Sequence, residues 1–547
     1  MDRRTLLAIS LSFVLLVVYQ TVMTVYYPPE ESQETAVTQI EGAATDQSPV
    51  APGSAVPNSA NAQMTAAPVA PAVVSITGPT ATLHNGFVTG KVSLSGGRLI
   101  EVQLMKHKTE LGEAGYPIRF VNENPATQFF GESAFVARVP APSLKTTWTL
   151  DGTDHIENQG QIRMFWDNGA GLRFERTFAI EANSYLIHIS DRVINNGAEN
   201  LSLFRFFQYR RIKPELTEDK MMAVADFIGP MGFLNEERHN FDYDELRESQ
   251  QALERQKGWI GFSDKYFLAS AIPANQDSTK TYYFDFQAPS YRVGVSEKLD
   301  VMAGGSSTIS TRLYVGPKEI KTLKSLNMDL ERSIDYGWFH FLAEPLVQLL
   351  LFFHKFVGNY GIAIILLTLI VKLLFFPLAN KSYRSMNAMR LLQPKIEKLK
   401  QKYGDDRQGM NQEMMKLYQD NKVNPLGGCL PVVIQIPVFF ALYKVLFLSV
   451  EMRHAPFFGW ITDLSVMDPY YVLPVLMGAS MFIQSKLNPK PADAIQAKVM
   501  MFLPVVFTVL FLTFPAGLVL YWLVNNTLSI IQQGYIIKLS AKEQEQA

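Results

Sequence analysis

The spacing of apolar and polar residues divides the chain into two regimes. Between residues 74 and about 330 the apolar residues come in short alternating runs, and beyond residue 335 they come in long unbroken ones. Leu172 and Phe174 alternate with Arg173 and Glu175, and Tyr185, Ile187 and Ile189 keep the same period up to the turn Asn195-Asn196-Gly197. A period of two sends successive side chains to opposite faces of a strand, so these runs predict half-buried strands. Asp167-Asn168-Gly169-Ala170-Gly171 stands between two such runs and predicts a hairpin. Leu201–Phe207 and Tyr282–Phe286 add further strands. Many short strands separated by Gly and Asn turns predict an all-β sandwich over residues 74–334. The charged stretch Asn235–Gln256 predicts a surface helix or loop that interrupts it.

Past residue 335 the period lengthens. Trp338, Phe341, Leu342, Leu346 and Leu349 share a helical face, with Pro345 among them. Residues 335–358 therefore predict an amphipathic helix lying along a membrane surface. Five apolar runs follow, near 359–379, 428–449, 470–485, 499–514 and 516–537, and another runs from Leu6 to about Val25. About 20 apolar residues cross a bilayer. The expected plan is an N-terminal transmembrane anchor (1–27), a flexible linker rich in Pro, Ala, Ser and Thr (28–73), the β domain and a five-helix transmembrane bundle (359–537). A cleaved signal peptide is the rival reading of the first run. Tyr26-Tyr27-Pro28-Pro29 follows it where a small-residue cleavage site belongs, which favours the anchor.

Charge sets the orientation. Residues 381–422 hold ten Lys/Arg against five Asp/Glu, residues 486–498 hold three Lys against one Asp, and 450–469 hold one Arg against three acids. Positive loops stay in the cytoplasm. Both ends of the chain and its tail (538–547) are expected there, with residues 28–334 in the periplasm of a multi-pass inner-membrane protein. Leu392, Ile396, Leu399 and Tyr403, then Met410, Met414 and Leu417, predict a cytoplasmic helical hairpin within 381–422. Its methionines, with Met386 and Met389, either hold the hairpin together or form a soft surface for varied apolar segments.

The chemistry sits inside the apolar runs. The net charge is −1 and the single cysteine is Cys429, so an intrachain disulfide and a Cys-based zinc site are excluded. No nucleotide-binding G-x-x-x-x-G-K-[ST], no H-E-x-x-H and no G-x-S-x-G occurs. Neither cofactor, metal nor catalytic residue is expected. Lys372 lies within the run Ile362–Leu378, where a cation costs roughly 2.5–3.5 kcal/mol at the span centre. Thr368 is one turn earlier. Trp522, Asn525, Ser529 and Gln532 make a polar stripe on the last run, and Gln435 stands between Pro431 and Pro437. Together they predict a wet cationic cavity. The competing readings are snorkelling for Lys372 and helix-to-helix hydrogen bonds for the stripe. Lys444, near the outer end of its run, is read as snorkelling. The runs 470–485 and 499–514 are short and carry Pro474 and Pro504, so a locally thinned bilayer is expected.

Val423-Asn424-Pro425-Leu426-Gly427-Gly428-Cys429, Gln435-Ile436-Pro437-Val438-Phe439, Asp468-Pro469-Tyr470-Tyr471-Val472-Leu473-Pro474 and Phe514-Pro515-Ala516-Gly517-Leu518-Val519-Leu520-Tyr521-Trp522 resemble the YidC membrane protein insertases of Gram-negative bacteria, as do Met389–Ile396 and Asp335-Tyr336-Gly337-Trp338. The resemblance is dense beyond residue 335 and architectural before it. It implies a groove open to cytoplasm and lipid but closed outside, with a cation at Lys372. Relatives often carry Arg there, and Lys keeps the charge without the bidentate fork. It further implies groove positions at Thr368, Gln435 and Trp522, with Tyr521, Asn525 and Ser529 beside them, and a supersandwich like that of sugar mutarotases. The function implied is insertion and folding of integral membrane proteins, alone or with the Sec translocon. Expected partners are nascent membrane proteins, the Sec translocon, the ribosome and membrane lipids, with no direct nucleic-acid contact. The rival functions are a secondary transporter, against which the odd count of five core spans speaks, and a membrane-anchored periplasmic carbohydrate-binding protein.

Overall fold

The computed structural model describes residues 77–545 apart from 113, 215–226, 405, 422, 424–429 and 490–493. The expected anchor, the linker up to residue 73 and Cys429 lie outside the described residues.

The alternating segment folds into two stacked sheets, antiparallel except where Thr80–His84 pairs in parallel with His155–Glu157 at the edge of one. The nine-stranded sheet has the spatial order Glu237–Asn240, Gly229–Leu234, Gly258–Ser263, Phe267–Pro273, Ser306–Pro317, Leu186–Asn195, Leu172–Ile180, Gly160–Asp167 and Thr149–Asp151. The ten-stranded sheet is built around Leu201–Ile212, which pairs along its whole length with Ser290–Val301 and on its other side with Phe129–Val136. Leu172–Ile180 buries every second residue, as its pattern requires. The hairpin at 168–171 joins the strands expected of it. Residues 235–256 differ from expectation. They supply two strands, Glu237–Asn240 and Gln251–Arg255, around a short helix α1 (Tyr243–Glu248). Both strands lie at sheet edges, where charged side chains reach water and block further pairing.

A charged cluster is sealed between the sheets. Asp191 accepts from Arg176 Nε at 2.6 Å and Arg205 Nε at 2.9 Å, and all three side chains are fully buried. Ser133 and Thr311 hydroxyls and the carbonyls of Gly97 and Ser133 take up further hydrogen bonds. Burial alone would raise the Asp191 carboxyl, but the two guanidiniums bring it below the ordinary carboxylate value.

A short helix α2 (Ile320–Ser325) leaves the sandwich, and α3 (His340–Val357), α4 (Tyr360–Leu374), α5 (Phe376–Leu391), α6 (Gln393–Tyr403), α7 (Arg407–Asp420), α8 (Leu430–Leu448), α9 (Val472–Leu487), α10 (Ala494–Phe511) and α11 (Ala516–Glu545) follow. Gly358 ends α3 in the left-handed conformation, and the Asn359 side chain then caps α4 by accepting from Ile362 N. The face expected of the amphipathic helix is split. α3 buries Ala343, Leu346, Val347 and Leu350, while Trp338 and Phe341 are exposed. The helix has two apolar sides, one packed on α4 and α8 and one facing outward.

The expected span 359–379 is broken. α4 stops at Leu374, and α5 leaves it at 68°. Pro377 is the cause: it has no N–H, and its ring crowds the carbonyl four residues back. Among the described residues no single helix is long and apolar enough to cross a membrane, and only α4 and α5 pass as a bent pair. The hairpin is also narrower than 381–422. It is α6 and α7, closed over Leu392, Ile396 and Met414. Met386 instead packs with Tyr383 and Ile536 of α11, and of the hairpin's methionines Met415 is exposed.

The end of α8 and the loop after it tie the helices to the sandwich. Arg453 donates to the Thr109 carbonyl at 2.9 Å, Lys265 lies 3.5 Å from the centre of the Phe447 ring, and the Glu451 carboxyl accepts from Ile320 N at the start of α2. The same loop grips two helix starts: Asn359 Nδ2 donates to the Phe457 carbonyl, and Ala516 N and Gly517 N donate to Val466 O and Leu464 O. Asp468, fully buried, accepts from Trp460 Nε1, Tyr470 N and Leu473 N, which satisfies orphan donors at the start of α9.

Candidate functional site

Lys372 stands in the last turn of α4, two residues before the helix ends. The bend at Phe375 swings α5 away and leaves a hollow of about 30 Å³ lined by Val371, Lys372, Phe375, Leu378, Ala379, Tyr383 and Gln435. That volume holds one or two waters. Lys372 Nζ donates to Ser529 Oγ at 2.7 Å, and the Ser529 hydroxyl donates in turn to the Asn525 carbonyl at 2.8 Å. The Tyr383 hydroxyl bonds to Ser529 as well. Among the described residues no carboxylate pairs with Lys372. A mostly buried cation thus rests on a neutral acceptor, which satisfies one donor and leaves its charge uncompensated.

The remaining residues of the expected groove divide. Gln435 lines the hollow and donates through Nε2 to Tyr521 Oη at 2.6 Å. Gln532, one turn beyond Ser529, points at Phe376 O and Asn380 at the start of α5, with 3.4 Å to each. Asn525 contributes its backbone carbonyl. Thr368 is buried and its hydroxyl donates to Ile364 O of its own helix at 2.7 Å, so it is not among the residues lining the hollow. Trp522 also faces elsewhere, into an aromatic cluster with Phe439, Phe507 and Phe511. A second polar row on α11 serves α9: Asn526 donates to Ser480 and Gln533 to Asn488. That row does what helix-to-helix hydrogen bonds do inside bundles.

Tyr383 was not legible as a site residue. It lies eleven positions after Lys372, three turns along an unbroken helix, but the bend puts it on a different helix facing α11. The sequence signal that could have found it is Pro377, which predicts the break.

The comparisons with known proteins cover both halves. The family model described as the 60Kd inner membrane protein matches residues 352–544, and the one described as the YidC periplasmic domain matches residues 80–349. A membrane protein insertase YidC of Magnetococcus marinus is 52% identical over 98% of this chain and 99% of its own length. The chain belongs to the YidC membrane protein insertase family. Other YidC insertases agree: that of Mesorhizobium japonicum is 38% identical over 82% of this chain and 79% of its own. That of Methylobacillus flagellatus is 36% identical over 98% and 96%. Membership makes the chain an inner-membrane protein and decides for insertion against transport and carbohydrate binding. The β-sandwich lies within the part matched as the periplasmic domain, α4 to α10 and nearly all of α11 lie within the part matched as the 60Kd inner membrane protein, and α3 is divided between the two.

Proposed function

We propose that this chain inserts membrane proteins by giving the polar end of an incoming segment a transient cationic stop at Lys372. The observation that carries the reading is the ammonium held, among the described residues, by the neutral Ser529 hydroxyl and no carboxylate, beside a largely apolar hollow. A carboxylate arriving there gains a charge-assisted hydrogen bond, roughly twice as strong as a neutral one. Insertion makes and breaks no covalent bond, so the site needs only to lower the barrier for a polar tail to enter. Gln435 and Tyr383 supply the polar lining beside Lys372, with Tyr521 bonded to Gln435 and Ser529, itself bonded to the Asn525 carbonyl, behind them. Thr368 and Trp522 act beside it, through packing.

The topology follows from charge. The loop between α4 and α8, the loop between α9 and α10 and the C-terminus face the cytoplasm, and the sandwich and the loop between α8 and α9 face the periplasm. α9 has 16 residues, about 24 Å of helix against a hydrocarbon core of about 30 Å. The bilayer thins beside it, which shortens the path of the polar tail. The Sec translocon and the ribosome are the partners that would deliver segments to this face.

Charge reversal tests the reading. Lys372→Glu, reconstituted in vesicles, is expected to lose protease-protected insertion of substrates with acidic tails, and Lys372→Arg to retain it. Full insertion by the Glu variant removes the proposed role of the charge.

A further inference from the structure

The helix that leaves the hollow has an unassigned face. α5 turns Ser382, Tyr383, Met386 and Asn387 inward against its neighbours. Its opposite side is the row Pro377, Lys381, Arg384, Ala388 and Leu391, spaced by four and three residues and therefore in line along one helix face. Lys381 and Arg384 are exposed, and among the described residues no carboxylate takes up either charge. Apolar side chains bracket the two cations. Leu373 and Leu374 are 56% and 73% exposed just before the bend, and Phe376 and Leu391, at the two ends of α5, are 41% and 49% exposed. Apolar side chains grouped at that exposure mark a surface that meets lipid or another protein.

Geometry says where this face lies. α5 has 16 residues, about 24 Å of helix. Set at 68° to α4, it advances only about 9 Å along the direction of α4. The headgroup layer on each side of a bilayer is about 5–8 Å deep. A helix leaving the inner end of α4 at this angle therefore stays within or next to that layer along its whole length. Its apolar ends reach the acyl boundary, and its lysine and arginine stand at phosphate depth, the arrangement in which long cationic side chains snorkel.

We propose that α5 is an in-plane helix of the inner leaflet whose Lys381 and Arg384 bind the phosphates of anionic lipid headgroups. Charge complementarity and continuity with the lipid-facing Leu373 and Leu374 identify lipid as the occupant. The contact would brace the wall of the hollow, because Tyr383 and Ser382 sit on the other side of the same helix. The proposal rests on the reading that α4 crosses the bilayer with Lys372 toward the cytoplasm.

The test uses the full chain carrying Cys429→Ser and a single nitroxide at Ala388→Cys or, as a reference, at Ile370→Cys on the exposed side of α4. Each is reconstituted in phosphatidylcholine vesicles with and without phosphatidylglycerol. Accessibility is read with oxygen, which enters lipid, and with a water-soluble nickel complex. Position 370 is expected to be oxygen-accessible in both vesicles. Position 388 is expected to lose nickel accessibility several-fold when phosphatidylglycerol is present, and Lys381→Gln with Arg384→Gln to abolish that change. Preferential retention of phosphatidylglycerol should drop about fivefold for each charge removed. An embedded position 370 with a nickel-exposed position 388 indifferent to phosphatidylglycerol overturns the lipid site alone. A water-exposed position 370 overturns the spanning reading of α4 and the proposal with it.

Discussion

The ammonium of Lys372 meets the hydroxyl of Ser529 at 2.7 Å, across two helices that are 157 residues apart in the chain. The partner is neutral, so the bond holds the cation in place without cancelling its charge. The ammonium keeps further donors for a substrate carboxylate, and Ser529 competes with it for the cation through a hydrogen bond to a charged group, worth about 1.5–3 kcal/mol. Ser529→Ala removes that competitor. Binding of an acidic-tailed peptide to the detergent-solubilised protein, followed by fluorescence titration, should tighten by about tenfold. Unchanged affinity would show that Ser529 does not compete with substrate.

The outer loop is seated on α4 by shape. A Cβ on Gly361 would come within 2.0 Å of the Phe457 ring, at the ring carbon next to its stem, where the side chain has little freedom to move aside. Gly361→Ala is expected to cost about 1–3 kcal/mol through overpacking. Phe457→Ala in the same chain should recover part of that loss. Thermal unfolding of the four proteins of the cycle measures the coupling, and strictly additive effects would mean that the two residues do not meet.

Asp191 separates two buried guanidiniums. Asp191→Asn leaves Arg176 without its carboxylate and Arg205 with the more distant Glu297, at 3.8 Å, and should destabilise the sandwich by about 3–5 kcal/mol. Hydrogen exchange of the amides in Leu186–Asn195 and Leu201–Ile212 reports it. The Asp191 carboxyl is depressed in the folded state, so its contribution is complete above the unfolded value near pH 4 and is lost as the pH falls toward the folded value. The wild-type sandwich should therefore loosen in acid, and the Asn variant should be weak at neutral pH already.

Glu451 behaves in the opposite sense. Burial pushes its carboxyl up to about 7, with the nearby Glu319 charge adding to the shift and the backbone hydrogen bonds opposing it. A raised carboxyl favours the folded contact most below its ordinary value of 4.5, and that advantage is lost as the pH rises from there to about 7. Protection of Ile320 N and of the loop at 450–454 should fall across this window in hydrogen exchange. Glu451→Gln keeps the carbonyl acceptor for Ile320 N and should make protection independent of pH. A falling profile in the Gln variant would assign the effect to another group.

The sandwich and the helical core were readable in the residues because each rests on a local pattern. Burial in Leu172–Ile180 follows its alternation residue by residue, since a strand's two faces are set by the parity of its side chains. Lys372, Gln435 and Ser529 stood out as polar residues in apolar runs, and the cost of burying them obliges them to find partners. Residues 235–256 read as a surface helix or loop, and the pattern misses their strands because they occupy sheet edges, where solvent relaxes the demand for an apolar face.

The order of segments, the identity of the cation and the two-part plan were thus determined by the sequence itself, through periodicity and desolvation cost. Which polar residues share one hollow was decided only by the tertiary structure. The 68° bend at Phe375 brings Tyr383 to Ser529, and the packing of α11 turns Tyr521 toward Gln435 while sending Trp522 among phenylalanines. Helix rotation and crossing depend on the summed fit of many side chains from distant parts of the chain, and no run of neighbouring residues encodes that sum.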